Sequence, residues 1–124
     1  MIIYLKNKHT LEVDDFKFRC SIGKNGKSKK KKEGDKKTPI GYFEIENLYY
    51  RSDRIKKPST KLKCIKIEKN MGWCDDPFDL KNYNKLIKLN EKIKCEKLFI
   101  KDYKYDLLIP IKYNFLKPVK FKGS

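Results

Sequence analysis

Along much of the chain apolar and polar residues alternate with a period of two, the spacing of a strand that buries one face. Ile2 to Leu5 is a short apolar run, and Thr10 to Val13 pairs with it across the Asn7-Lys8-His9 turn. Phe16, Phe18, Cys20 and Ile22 alternate with Lys17, Arg19 and Ser21, which predicts a half-buried strand with its apolar set on one face. Thr38 to Glu46 predicts another, with Phe43 and Ile45 turned inward and Ile40, Tyr42 and Glu44 on the opposite side. Tyr49 to Lys63 reads as polar and turn-forming, Leu62 to Ile67 as a short strand, and Asn70 to Pro77 as a loop, from its Gly, Pro and paired acids. Leu80 to Leu89 leaves two readings open: Leu86, Ile87 and Leu89 suit a helical face, whereas Tyr83-Asn84-Lys85 suits extended chain. Lys97 to Ile100 and Tyr105 to Ile111 predict strands, the second running on to Pro118. Five to seven short strands, long connections, little helix and no repeat make a mainly β domain.

Length adds that there is one domain: 124 residues, with 16 aromatics, 13 Ile and 11 Leu to fill a core despite a mean hydropathy of -0.80. No run reaches the roughly 18 to 20 apolar residues of a membrane-spanning helix. The start, Met1 to Thr10, lacks the basic-then-apolar build of a signal peptide.

Charge changes the picture less than its size suggests. The chain carries 32 Lys+Arg against 16 Asp+Glu, a formal +16, but 29 of the basic residues are Lys and three are Arg (Arg19, Arg51, Arg54). Ala and Gln are absent, so the lysines fit an AT-rich coding bias. Sequence-specific DNA readers lean on the planar fork of Arg, so this charge implies non-specific attraction to polyanions and no specific nucleic-acid partner. Lys24 to Lys37 holds eight Lys and two acids and predicts a solvated loop. The cysteines, at 20, 64, 74 and 95, form no Cys-x-x-Cys pair, and His9 is the one histidine. That pattern points to free, partly buried thiols and to no metal or other cofactor.

Gly23-Lys24-Asn25-Gly26, then Glu33-Gly34-Asp35-Lys36-Lys37-Thr38-Pro39-Ile40-Gly41-Tyr42-Phe43, does not read as a generic loop. Two glycines leave the strand, Gly34-Asp35 forms a turn, Thr38-Pro39 returns the chain to extended geometry, and Gly41 leaves a gap on the strand. This run resembles the L,D-transpeptidase catalytic domain of the YkuD-like family. The resemblance spans about 16–124 and continues through Met71-Gly72-Trp73-Cys74-Asp75-Asp76-Pro77, Tyr83-Asn84-Lys85, Glu96, Asp102 with Tyr105-Asp106, Tyr113-Asn114 and Gly123-Ser124.

The resemblance implies a β-sandwich with long loops, a substrate of peptidoglycan stem peptides and a periplasmic or envelope location. It makes Thr38, Pro39, Gly41, Trp73 and Tyr113 the candidates for a substrate cleft. Thr38, Pro39 and Gly41 also read as turn-shaping residues, and Trp73 as either a cleft wall or a core anchor. Asp75 and Asp76 point apart on an extended chain and make a poor acid/base couple. Asp102 and Asp106 read as holding turns or pairing with lysines, and Cys74 beside two acids predicts a raised thiol pKa.

Acyl transfer in that family needs a cysteine thiolate, a histidine to activate it, and backbone N–H groups for the oxyanion. The resemblance places the His and the Ser/Thr-x-Gly-Cys turn downstream of Gly123-Ser124, so the expectation is a domain whose C-terminal part is missing and which is inactive alone. A downstream fragment would complete it. An incomplete sheet would leave an unpaired edge and an uncovered apolar face, with weak stability and aggregation. Two further functions stay open: a non-catalytic peptidoglycan-binding module, and a basic polyanion binder using Lys24 to Lys37.

Overall fold

The structure is a computed structural model that describes residues 1–29, 32–116 and 123. Lys30 and Lys31 of the lysine run, the extension through Lys117-Pro118, and Ser124 lie outside the described residues. Among those described there is no helix, and thus none long and apolar enough to cross a membrane.

The chain opens with an antiparallel meander of β1 (Ile3–Asn7), β2 (Thr10–Val13) and β3 (Phe16–Arg19). The expected pairing of the first two strands is present, with Leu5 opposite Leu11, and Asn7 Oδ1 accepts the His9 N–H at 2.9 Å in their turn. Asp14 supplies the left-handed residue of the next turn (φ 51°), a conformation short polar side chains tolerate. The burial expected of β3 is not observed: Phe16 and Phe18 are 68% and 51% exposed. Alternation marks one face as apolar but does not supply a partner for it, and among the described residues no other strand packs on the meander.

β4 (Lys27–Ser28) and β5 (Thr38–Pro39) form a short parallel pair that brackets the lysine run. The expected strand from Thr38 to Glu46 is laddered only at its start, because Gly41 (φ 147°) turns the backbone away. Its predicted sidedness holds: Phe43 and Ile45 are half-buried while Ile40 and Tyr42 are exposed, and Ile45 bridges Ile111.

β6 (Asn47–Tyr50) and β7 (Lys63–Lys66) run parallel, with Tyr49 opposite Ile65. Leu48, Tyr49 and Tyr50 are all buried, so Tyr49 and Tyr50 belong to a central strand rather than to the polar connection expected from Tyr49 onward. A strand covered on both faces loses the alternation by which sequence reveals it. β8 (Met71–Cys74), β9 (Leu86–Lys88) and β10 (Cys95–Lys97) make a third sheet with β8 in the middle. Here too most of an expected loop is a strand: of Asn70 to Pro77, Met71–Cys74 form β8 while Asn70 and Asp75 to Pro77 stay outside it. Gly72 sits in β8 because a Cβ there would lie 2.7 Å from Leu89 Cδ2 and 2.9 Å from Cys95 Sγ. Residues 80–89 take neither reading as a whole: 80–84 are turns, with Asn84 in left-handed backbone, and only Leu86–Lys88 are extended, as β9. The ladder expected at Lys97 to Ile100 lies earlier, at β10, and that of Tyr105 to Ile111 narrows to β11 (Leu107–Leu108), which pairs with β6.

Tyr49, Ile67 and Leu98 form the core, with Ile65, Met71, Trp73, Phe99, Tyr105 and Leu108 packed against it. Two of the three arginines are spent on bonds within the chain, Arg51 buried and Arg54 at the surface. Arg51, 3% exposed, forks onto Asp53 with two bonds of 2.9 Å, donates to Ile100 O and stacks 3.6 Å from the Phe99 ring centroid. Arg54 donates to Asp106 Oδ1 and to the carbonyls of Ile100, Lys101 and Asp102. Asp106 therefore pairs with an arginine rather than a lysine, while Asp102 holds a turn by accepting the Lys104 N–H.

Candidate functional site

The neck of the lysine run builds the first wall of a cleft. Asn25 N–H donates to Lys36 O (2.8 Å), Thr38 N–H to Gly26 O (2.9 Å) and Gly23 N–H to Thr38 Oγ1 (2.7 Å). Asp35, nearly buried, accepts the Lys37 N–H through Oδ1 at 3.0 Å, while Gly34 takes a left-handed turn (φ 72°). Thr38 and Pro39 thus shape the turn and also face the cleft.

The opposite wall hangs on Asn84. Its side chain is buried and fully used: Oδ1 accepts the Trp73 Nε1–H at 3.0 Å, and Nδ2 donates to Tyr113 O and Asn114 O at 3.0 and 2.8 Å. Its backbone takes φ 56°, which Asn tolerates better than most residues, and its N–H donates to Cys74 O. The neighbouring Tyr83 is buried and donates its hydroxyl to Glu33 Oε2 at 2.7 Å, tying this wall to the lysine run. Burial first, then Glu33, pushes that phenol far above its ordinary range.

The resulting cleft, about 320 Å³, is lined by Thr38, Pro39, Trp73 and Tyr113 together with Lys37, Asn84, Glu96 and Tyr105. Trp73, Pro110 and Ile111 also line an adjoining hollow of about 230 Å³. Of the five candidates from sequence, four therefore meet at one place. Gly41 does not line it: a Cβ there would press on the Phe43 ring at 2.9 Å, and Phe43 packs edge-on against Tyr113 (centroids 5.5 Å apart, 89°). Trp73 serves both roles left open for it, facing the cleft and packing on the core.

Glu96 stands opposite Trp73 across β8 and β10 and binds Lys104 Nζ at 2.6 Å. Burial raises its carboxyl, but Lys104 and Tyr105 outweigh this and leave it below the usual range. Burial, helped by the bond to Glu96, pushes the Tyr105 phenol up to about 12. A raised phenol favours the folded state until the unfolded chain starts to ionise, so its contribution is whole below pH 10 and is lost between 10 and about 12. Tyr105→Phe is expected to flatten the loss of stability over that window, read by denaturant titration at successive pH values; an unchanged slope would show that Tyr105 is not the group responsible.

The thiols are elsewhere. Among the described residues no cysteine lines the cleft. Cys74 is fully buried, and burial first, then Asp79, Asp76 and Asp75, raises its pKa; the predicted direction holds, although its leading cause is burial. Asp76 accepts the Phe78 N–H and shapes a turn, while Asp75 Oδ1 is buried without a hydrogen-bond partner among the described residues. His9 is exposed in the β1–β2 turn; Cys20 N–H donates to its carbonyl at 3.0 Å, but no hydrogen bond joins that thiol to the imidazole among the described residues. Nor do three His, Cys, Asp or Glu residues cluster there as a metal site.

Asn84 is the cleft-wall residue that the sequence pattern did not single out, although it stands inside the Tyr83-Asn84-Lys85 block. An Asn between turn residues is a signal for left-handed backbone, but not for which three groups its amide will meet.

Small β-sheets around a cleft walled by two tyrosines and a tryptophan define a mainly β protein. The chain belongs to the L,D-transpeptidase catalytic domain (YkuD) family, which it matches over residues 1–122. Neither a curated protein nor a solved structure matches it.

Proposed function

We propose that the cleft binds the stem peptide of peptidoglycan, and that the 124-residue polypeptide by itself binds it without catalysing acyl transfer. The observation that carries the reading is the convergence of Thr38, Pro39, Trp73 and Tyr113 on one cleft from distant parts of the chain. Aromatic faces at Trp73, Tyr105 and Tyr113 suit the apolar parts of a short peptide, and Lys37 and Glu96 offer charges of both signs for its carboxylates and amines. Acyl transfer needs a thiolate and an imidazole within hydrogen-bond reach of the bound peptide. The described cleft presents neither group, so the reading is one of binding rather than of acyl transfer by these residues. An envelope location follows from that substrate.

Retention on purified peptidoglycan tests the reading. Trp73→Ala is expected to lower retention at least about tenfold, as truncating a central aromatic anchor does. Retention should survive a few hundred millimolar salt and be competed by free stem peptide. Loss at that salt, with no competition by stem peptide, would instead assign the chain to polyanion binding through the eight lysines of Lys24 to Lys37. Intact mass after incubation with a carbapenem is expected to be unchanged. An acyl adduct on any of Cys20, Cys64, Cys74 and Cys95 would overturn the non-catalytic assignment.

A further inference from the structure

We propose that Cys74 and Cys95 form an oxidisable cross-strand dithiol that closes to a disulfide beneath the cleft. The two residues are direct partners in the antiparallel pairing of β8 and β10. Which kind of partner they are follows from the backbone. Cys74 donates its N–H to Lys85 O (3.0 Å) and its carbonyl accepts the Asn84 N–H (2.9 Å), so both of its backbone polar groups face the β9 side. Toward β10 it stands at a non-hydrogen-bonded position. The ladder agrees: Leu98 N–H donates to Met71 O, and counting back through Lys97–Gly72 and Glu96–Trp73 reaches Cys95–Cys74 at the alternate, non-bonded step.

At such a step the two Cα atoms stand about 4.5 Å apart with their side chains on one face, whereas disulfides span Cα separations of about 4.4–6.8 Å. The pairing thus places the two residues within the span a disulfide bridges. The structure holds the reduced form, with both thiols free. Cys95 Sγ lies over Gly72, 2.9 Å from where a Cβ would stand, two residues along the face from Cys74. A turn about χ1 of Cys95 swings its sulfur from that gap toward Cys74. Cys20 and Cys64 have no such partner: Cys64 lies on β7, where it faces Leu48, and Cys20 follows β3.

Access sets the order of events. Cys95 is partly exposed and Cys74 is not. With glutathione disulfide as oxidant, the Cys95 thiol loses its proton and the thiolate attacks one glutathione sulfur, forming a mixed disulfide and releasing one glutathione. The Cys74 thiolate then attacks Cys95 Sγ and releases the second. Two thiols are oxidised to one disulfide, one glutathione disulfide is reduced to two glutathiones, and the two thiol protons pass to the products. Trp73 and Glu96, the cleft residues next in each strand, are thereby stapled to a fixed spacing.

Equilibrating the full chain in glutathione buffers of rising oxidised fraction, alkylating and mapping by trypsin tests this. The expected product links the peptides 70–81 and 95–97, leaves Cys20 and Cys64 alkylated, and melts about 5–10 °C above the reduced chain. Cys20→Ser with Cys64→Ser should keep the link. An unfolded chain would favour Cys64 with Cys74, the pair closest in sequence, so oxidation in guanidinium serves as the contrast. Recovery of 70–81 and 95–97 as separate alkylated peptides in the most oxidising buffer, or a native pairing pattern equal to that in guanidinium, would overturn the proposal.

Discussion

Asn84→Ala is expected to lower the unfolding free energy by about 3–5 kcal/mol, the sum of two orphaned groupings and a backbone cost. The first grouping is the Trp73 indole N–H, left without its acceptor; the second is the carbonyl pair of Tyr113 and Asn114, left without their donor. The backbone cost comes from φ 56°, where Ala is less tolerated than Asn. Small domains are stable by about 5–15 kcal/mol, so this one substitution removes a large share. Asn84→Gly separates the contributions, because glycine accepts the backbone but supplies no amide. Urea denaturation of the three proteins is the measurement. A loss below about 1 kcal/mol for Asn84→Ala would mean that water replaces the amide easily and that Asn84 does not hold the cleft wall.

Gly23→Ala is the second large effect, and it acts on the other wall. A Cβ at Gly23 would overlap the Lys36 carbonyl oxygen and lie 2.9 Å from the carbonyl carbons of Lys36 and Lys37. These are backbone atoms, which cannot rotate aside as a side-chain end can. The neck must open, and with it go the Gly23 N–H to Thr38 Oγ1 and Thr38 N–H to Gly26 O bonds that position Thr38 at the cleft. The expected cost is about 2–4 kcal/mol, from overpacking plus lost hydrogen bonds, with a faster-exchanging Thr38 amide. Gly26→Ala is the contrast: φ 84° strains any side chain, but nothing lies within 4 Å of the added carbon, so about 1 kcal/mol is expected. Equal effects at the two glycines, read by thermal melts and amide exchange, would show that the Lys36 backbone yields and that close approach is not what selects Gly23.

The legible parts of the fold are those in which local chemistry and final environment agree. The turn between β1 and β2, the turn at Gly34-Asp35, and the inward setting of Phe43 and Ile45 depend on residues close in sequence, and each is present. The misread parts are strands whose partners are far away. β6 and β8 lie in the middle of their sheets, so their residues answer to neighbours on both edges rather than to a two-residue period. Met71-Gly72-Trp73-Cys74 carries a glycine and precedes paired acids, which locally means loop; the closeness of Leu89 and Cys95 is what makes that glycine a strand residue. Phe16 and Phe18 show the converse, a correct alternation with nothing packed on it among the described residues.

The candidate site divides in the same way. Thr38, Pro39, Trp73 and Tyr113 were reachable from residue order, because the blocks that carry the resemblance hold them. Their meeting in one cleft, the exclusion of Gly41 from it, and the amide of Asn84 that joins two walls were not. By itself the sequence determined the mainly β class, the family and the separation of the four thiols along the chain. Only the tertiary structure decided which of those thiols face each other and which aromatic rings line the cleft. Strand partners and hydrogen-bond acceptors are chosen by contacts between residues far apart in sequence, and a local pattern carries no term for them.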